Sequence, residues 1–423
     1  MREMKDSGMI RLKYVVDIFG RIGFRGYTEQ DLVDENDGAI TLSPSNIQNM
    51  KMDYSKCSFL TWQKYYESPE IKIKNGDVLF VKTGSTYGKV GYVENLPMEA
   101  TINPQLVVFK NISMNSKLLF YMLQMSFVKD QCELAVVGGT IPTMSQVKIG
   151  NIYIPFPSLA EQQRIAEFLD RECGKIDGLK ADIQAQIDTF EQYKRSVITE
   201  AVTHGLNPSA PMKDSGIPWV GNIPKHWNCC SLKYNYNTIS GATPNSNDIS
   251  LWDGEIVWVT PADYKTKDVY VCSGARKITY KGYLSCSTTL IKQGNIIFSK
   301  RAPIGSVAIN KVELCTSQGC LSVVSKTGNV NNKYFYYLFS VNDETFNLFG
   351  SGTTFKEISA KDFLNVKFPL PSLDEQQEIA DYLDNKCAEI EQIIADKKSQ
   401  IETLDGYKKS LIYEYVTGKK EVV

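Results

Sequence analysis

The sequence predicts an α/β protein built twice: two mixed α/β globules, each followed by a long helix. The helices are expected to pair as an antiparallel coiled coil, with the halves related by a pseudo-two-fold axis. Three observations carry this. Residues 155–170 read PFPSLAEQQRIAEFLD and residues 369–384 read PLPSLDEQQEIADYLD, an offset of 214 with eleven of sixteen positions identical. Each segment opens a seam of apolar residues at alternating spacings of three and four. The stretches between the helices hold short β-rich runs, such as Asp77-Val78-Leu79-Phe80-Val81 and Asn295-Ile296-Ile297-Phe298-Ser299, broken by turn residues. The elements then fall at 1–154 (first globule), 155–204 (central helix), 205–368 (second globule) and 369–423 (last helix).

The helix starts are written in local chemistry. Ser158-x-x-Glu161 and Ser372-x-x-Glu375 fit a capping box, in which the serine accepts from an early backbone N–H and the glutamate reaches back. Gln162 and Gln376 follow in the same first turn, and these six residues are candidates for helix start and partner docking. The first seam runs Ile165, Leu169, Glu172, Ile176, Leu179, Ile183, Ile187, Phe190, Lys194, Val197, Ala201. The second runs Ile379, Leu383, Lys386, Ile390, Ile393, Lys397, Ile401, Leu404, Lys408, Leu411, Tyr415. Gly205 and Gly418 are stop signals. A helix of about 45 residues extends roughly 65–70 Å, and its narrow stripe needs a partner. The other copy is the economical one; a second chain is the alternative.

Composition bounds the class. The 423 residues are 43% hydrophobic and 22% charged, with a net charge of −1, as in ordinary globular proteins. No apolar run has the length of a membrane span, and the first residues carry no signal-peptide core. Ten cysteines without a Cys-x-x-Cys pair predict reduced thiols in the cytoplasm, and with two histidines the usual zinc spacings are missing. Split by segment, the balance changes meaning. Residues 1–154 carry 17 basic and 16 acidic residues, and residues 205–368 carry 17 and 11. The helix segments are net −3 and −5. A near-neutral chain therefore hides net-positive globules, as nucleic-acid contact requires.

Two pairs of loops are the candidate contacts. After the first β-run come Lys82, Thr83, Ser85, Thr86, Tyr87 and Lys89; after its counterpart come Ser299, Lys300, Arg301 and Ser306. Later loops add Thr140 in the first copy and Thr353, Thr354 and Lys356 in the second. Cations, hydroxyls and glycines together can hold phosphates and reach base edges. Catalytic motifs are missing. Gly84-x-x-x-Gly88-Lys89-Val90 is one residue short of a P-loop and ends in Val. Asn103-Pro104-Gln105 lacks the second proline and the aromatic of an amino-methyltransferase motif.

The repeated Pro-x-Pro-x-x-x-Glu-Gln-x-x-Ile-x-x-x-Leu segments, each heading a long helix after a β-rich globule, resemble the specificity subunit of type I restriction–modification systems. The stretch from Met212 to Trp227 is similar to the opening of such target-recognition domains. The resemblance covers essentially the whole chain. It implies a DNA-binding subunit for defence against foreign DNA. Two target-recognition domains would each read one half of a split site in double-stranded DNA, with the helices setting the gap and docking two methyltransferase subunits. A restriction/translocase subunit completes the complex, and the chain itself is expected to hold no cofactor, S-adenosylmethionine and ATP belonging to the partner subunits. A self-contained DNA methyltransferase and a coiled-coil adaptor without DNA contact are the competing readings. One departure stands out: the first copy lacks a counterpart of Trp219 to Trp227, which questions how well its opening is anchored.

Overall fold

The two long helices run Leu159–His204 and Leu373–Val416 in the computed structural model. It describes residues 8–422 apart from 22, 24–25, 49, 138–140, 265–268, 302, 327 and 352–355. Both starts show the reciprocal cap. Ser158 N donates to Glu161 Oε2 at 2.9 Å while Glu161 N donates to Ser158 Oγ at 3.4 Å. The Ser372 and Glu375 pair repeats this at 3.4 and 3.3 Å. The first helix ends on Gly205, whose φ of +76° suits a residue without a side chain. A Cβ there would stand 3.1 Å from the Trp227 ring.

The chain divides into two compact units: Met1–Ile183 with Ser399–Val423, and Gln184–Lys398. Each unit holds one globule and a half of each long helix. Within each, the helix halves run antiparallel. In the first unit Asp177 meets Lys408 and Lys180 meets Asp405, so one number rises as the other falls. In the second, Gln186 meets Lys397 and Lys194 meets Glu391.

The seam departs from the expected one at two equivalent places. Leu179 and Ile393 are 53% and 38% exposed. Cys173 and Cys387 are buried, and Lys180 and the buried Ile394 take the next seam positions. The facing residues thus run Leu169, Cys173, Ile176, Lys180, Ile183, Ile187, a 4-3-4-3-4 spacing. The physical reason is that a cysteine is a small apolar residue and a lysine can bury its stem while its head pairs across the seam. The polar interruptions Lys194 and Lys408 are cross-helix ion pairs.

Each globule is built on a sheet buried on both faces. In the first unit the order is Asp17–Gly20, Leu106–Lys110, Val78–Val81, Val90–Tyr92, all antiparallel. Alternation along Val78–Val81 divides the work. Val78 and Phe80 face helices Ser116–Met122 and Ser126–Ala135 and the long-helix residues Ile165 and Leu169. Leu79 and Val81 join Ile40, Leu42 and Ile102 of a second sheet. The second unit repeats the plan with Tyr236–Ser240, Cys320–Ser325, Ile296–Ser299, Val307–Asn310 and Tyr270–Val271. There Ile296 and Phe298 face one core and Ile297 the other.

The openings differ, as the sequence indicated. In the second unit Met212–Asp214 pairs with Asn222–Pro224, and Ile217, Val220, Ile223 and Trp227 are buried against Ile198, Ala201 and Val202. The strand that follows is common to both units. Met9–Arg11 pairs antiparallel with Tyr153–Pro155, and Asn228–Ser231 pairs with Lys367–Leu370. The first globule therefore keeps its sheet anchor at residues 9–11 without the extra segment.

Candidate nucleic-acid interface

A polar joint fixes each globule to its long helix, and the two joints use the same side chains. Gln162 is buried; its Oε1 accepts from Asn115 N at 3.0 Å and its Nε2 donates to Pro157 O at 2.9 Å. Gln376 does likewise with Asn331 N at 2.8 Å and Pro371 O at 3.0 Å, and also donates to Asn329 O at 3.2 Å. Asn115 and Asn331 donate in turn to Gln163 and Gln377. Tyr121 donates to Asp170 at 3.1 Å and Tyr337 to Asp384 at 2.8 Å. Burial foremost pushes both phenols well above their ordinary range, helped at Tyr121 by Cys173 and then Asp170, and at Tyr337 by Asp384. Lys117 and Lys333 complete the joints on the same aspartates. Gln162 and Gln376 are therefore spent inside their own units, which corrects their assignment to partner docking; Ser158, Glu161 and Ser372 stay exposed.

The candidate loops leave the central strands on one shared frame. Val81 N donates to Lys89 O at 2.9 Å and Gly88 N to Val81 O at 2.9 Å. Ser299 N donates to Ser306 O at 2.8 Å and Gly305 N to Ser299 O at 3.1 Å. Gly88 and Gly305 have φ of +80° and +103°, so the tight return needs glycine in both. A later segment then crosses each loop. Met144 N donates to Lys82 O at 2.9 Å and Ile358 N to Lys300 O at 3.0 Å. Isolated bridges pair Thr83 with Thr143, and Arg301 with Glu357.

On this frame the side chains diverge. In the first unit Thr143 donates from its hydroxyl to Thr83 Oγ at 2.9 Å, a neutral contact. Lys82 beside it is half-buried, and burial lowers its ammonium below the usual lysine range. Among the described residues no carboxylate lies within ion-pair distance of Lys82. In the second unit Lys300 Nζ sits 3.0 Å from Glu357 Oε1, and Arg301 Nε donates to Glu357 Oε2 at 2.8 Å. Partial burial works against the Glu357 charge. Hydrogen bonds from Arg301 and Lys300 outweigh it and hold the carboxyl below the usual range.

The other candidates scatter. Ser85 and Thr86 are exposed, and Lys356 is too. Tyr87 packs partly against the first core, and Lys89 donates to Pro44 O at 3.3 Å. Ser306 is half-buried. Ser299 is fully buried, with its hydroxyl donating to Arg301 O at 2.9 Å, so its expected DNA contact is corrected to a structural role. Thr140, Thr353 and Thr354 lie outside the described residues. Thr143 and Glu357 escaped the sequence reading. A signal for them existed, because they stand 214 positions apart, the offset of the helix repeat.

Among the described residues no helix is long and apolar enough to cross a membrane, and no group of three or more His, Cys, Asp or Glu is placed to hold a metal. Known proteins agree with the doubled plan. The putative type I restriction enzyme MjaX specificity subunit of Methanocaldococcus jannaschii is 26% identical over 388 residues, spanning 89% of this chain and 86% of that protein. The MjaIX specificity subunit of the same organism is 36% identical over 189 residues, 44% of this chain and 43% of that protein. A solved chain, from work on complex assembly and conformational transition of the type I R-M system, shares the fold with a TM-score of 0.69 at 18% identity. It covers 96% of this chain and is itself covered to 97%. The profile described as Type I restriction modification DNA specificity domain matches twice, over residues 23–189 and 224–403, and the chain belongs to that family.

Proposed function

We propose that this chain is the non-catalytic DNA-reading subunit of a cytoplasmic type I restriction–modification complex. Each globule reads one half of a bipartite site in double-stranded DNA. The paired helices set the gap and dock two methyltransferase subunits, and a restriction/translocase subunit completes the assembly. Base methylation with S-adenosylmethionine, and translocation with ATP, belong to those partners. The observation that carries this reading is the double family match, one per globule, on globules that present one loop frame with different side chains. Frames closed by the same backbone bonds give both halves a similar approach to a duplex. Different side chains let each half ask for different bases.

The test is methylation mapping. A genome carrying this chain with a type I methyltransferase subunit should show methylated adenines in a split motif of fixed gap. Exchanging residues 9–150 for the corresponding part of another specificity subunit should change one half of that motif only. Methyl transfer by this chain alone, or a motif that changes in both halves, would overturn the reading.

A further inference from the structure

The Lys300–Arg301–Glu357 cluster differs from its counterpart in the first unit at two bridged positions: Arg301 stands where the first unit has Thr83, and Glu357 where it has Thr143, while Lys300 matches Lys82. Glu357 and Thr143 are each bridged to the equivalent loop position, Arg301 in one unit and Thr83 in the other, and each is followed by the same backbone hydrogen bond. The two oxygens of Glu357 take one cation each, at 3.0 Å from Lys300 and 2.8 Å from Arg301. A carboxylate holding a lysine and an arginine through separate oxygens presents what a DNA phosphate would present to them. Lys300 is only 14% exposed, so its ammonium is committed to this contact rather than swinging in solvent.

We propose that Glu357 is a specificity-determining residue of the second recognition domain, acting as an internal phosphate mimic that keeps Lys300 and Arg301 from neutralising DNA indiscriminately. The proposal rests on the DNA-reading function above. A loosely placed duplex offers phosphates but no matched base edges, and it cannot replace both hydrogen bonds to Glu357 at once. Its cations stay on the carboxylate. A duplex seated by the correct half-site offers a phosphate and a base edge together, and the exchange then costs little. In the first unit the bridge beside Lys82 is the neutral Thr83–Thr143 pair, and among the described residues no carboxylate pairs with Lys82, so the second half-site is read more stringently than the first.

The test uses the full chain with its methyltransferase subunit, a random-sequence duplex and a duplex bearing the mapped site. Glu357→Gln keeps hydrogen-bonding capacity and removes the charge. Binding to the random duplex should tighten about eightfold near 0.1 M salt, with the salt slope steeper by about 0.9, one further phosphate neutralised. Binding to the mapped site should tighten less, so the ratio between the duplexes falls. The reciprocal change, Thr143→Glu, places a carboxylate at the bridge position that Glu357 holds in the second unit and should weaken random-duplex binding by a similar factor with a shallower slope. An unchanged slope and ratio in a cooperatively melting Glu357→Gln protein overturns the proposal while leaving DNA reading intact. Should that variant not fold, an unchanged slope in Thr143→Glu overturns it equally. A wild-type complex that retains neither duplex overturns the DNA-reading function, and the proposal with it.

Discussion

In the first unit Asn115, Gln162, Tyr121, Lys117 and Asp170 tie globule to helix, and in the second Asn331, Gln376, Tyr337, Lys333 and Asp384 make the same ties. The two loops, by contrast, share their backbone bonds but not their chemistry, with a hydroxyl pair in one and a two-cation carboxylate in the other. The contrast teaches where sequence freedom lies after a duplication. A buried joint whose partners would be left unsatisfied cannot drift one residue at a time. A half-exposed bridge held by backbone bonds can change its side chains and keep its shape.

Three measurements press on that comparison. The largest effect belongs to the joint. Gln376→Ala strands the Asn331 N–H and the carbonyls of Pro371 and Asn329, and should cost about 3 kcal/mol in urea unfolding. Gln162→Ala strands one N–H and one carbonyl and should cost about 2 kcal/mol. Losses well under 1 kcal/mol in both would mean that the joint does not restrain the two copies.

A middle effect separates the helix pairs, which look equivalent by sequence offset. Lys408 and Asp177 are 6% and 20% exposed, whereas Lys194 and Glu391 are 21% and 51% exposed. Lys408→Ala leaves a poorly hydrated carboxylate and should cost about 2 kcal/mol, while Lys194→Ala should cost under about 1 kcal/mol. Thermal melting of the two variants orders them, and equal melting temperatures would erase the asymmetry.

The smallest effect is the pH dependence of the loop cluster. Glu357 has its folded pKa depressed, so its contribution is present above the unfolded carboxylate value of about 4.3 and fades as pH falls through the lower folded value. Glu357→Gln should thus lose stability at neutral pH, by under about 1 kcal/mol for a pair this exposed. The difference from wild type should close in acid. A gap that persists at pH 3 would assign the loss to packing instead.

The capping boxes were legible because they are complete within four residues. The repeat was legible because identity at a fixed offset needs no geometry. At residues 172 and 179 the spacing points to a glutamate and a leucine, whereas Cys173 and Lys180 take those seam positions in the fold. Spacing alone does not say that a lysine will bury its stem and pair with Asp405. Among the site residues, the glycine-flanked loops could be placed in order along the chain. The partner of Lys300 and Arg301 could not, because Glu357 reaches them from 56 positions away through a bridge that only the fold creates.

The division of the helices has a consequence for how the chain is made. The core of the first unit takes Leu411, Ile412 and Val416 from the far end of the sequence, whereas the second unit is the continuous run Gln184–Lys398. A growing chain that emerges from its N-terminus has every residue of the second unit before the first can close. The globule synthesised first is thus finished last, and until residues 399–423 arrive its helix half carries an uncovered apolar stripe. Truncated products would carry an intact second reader and an unclosed first one.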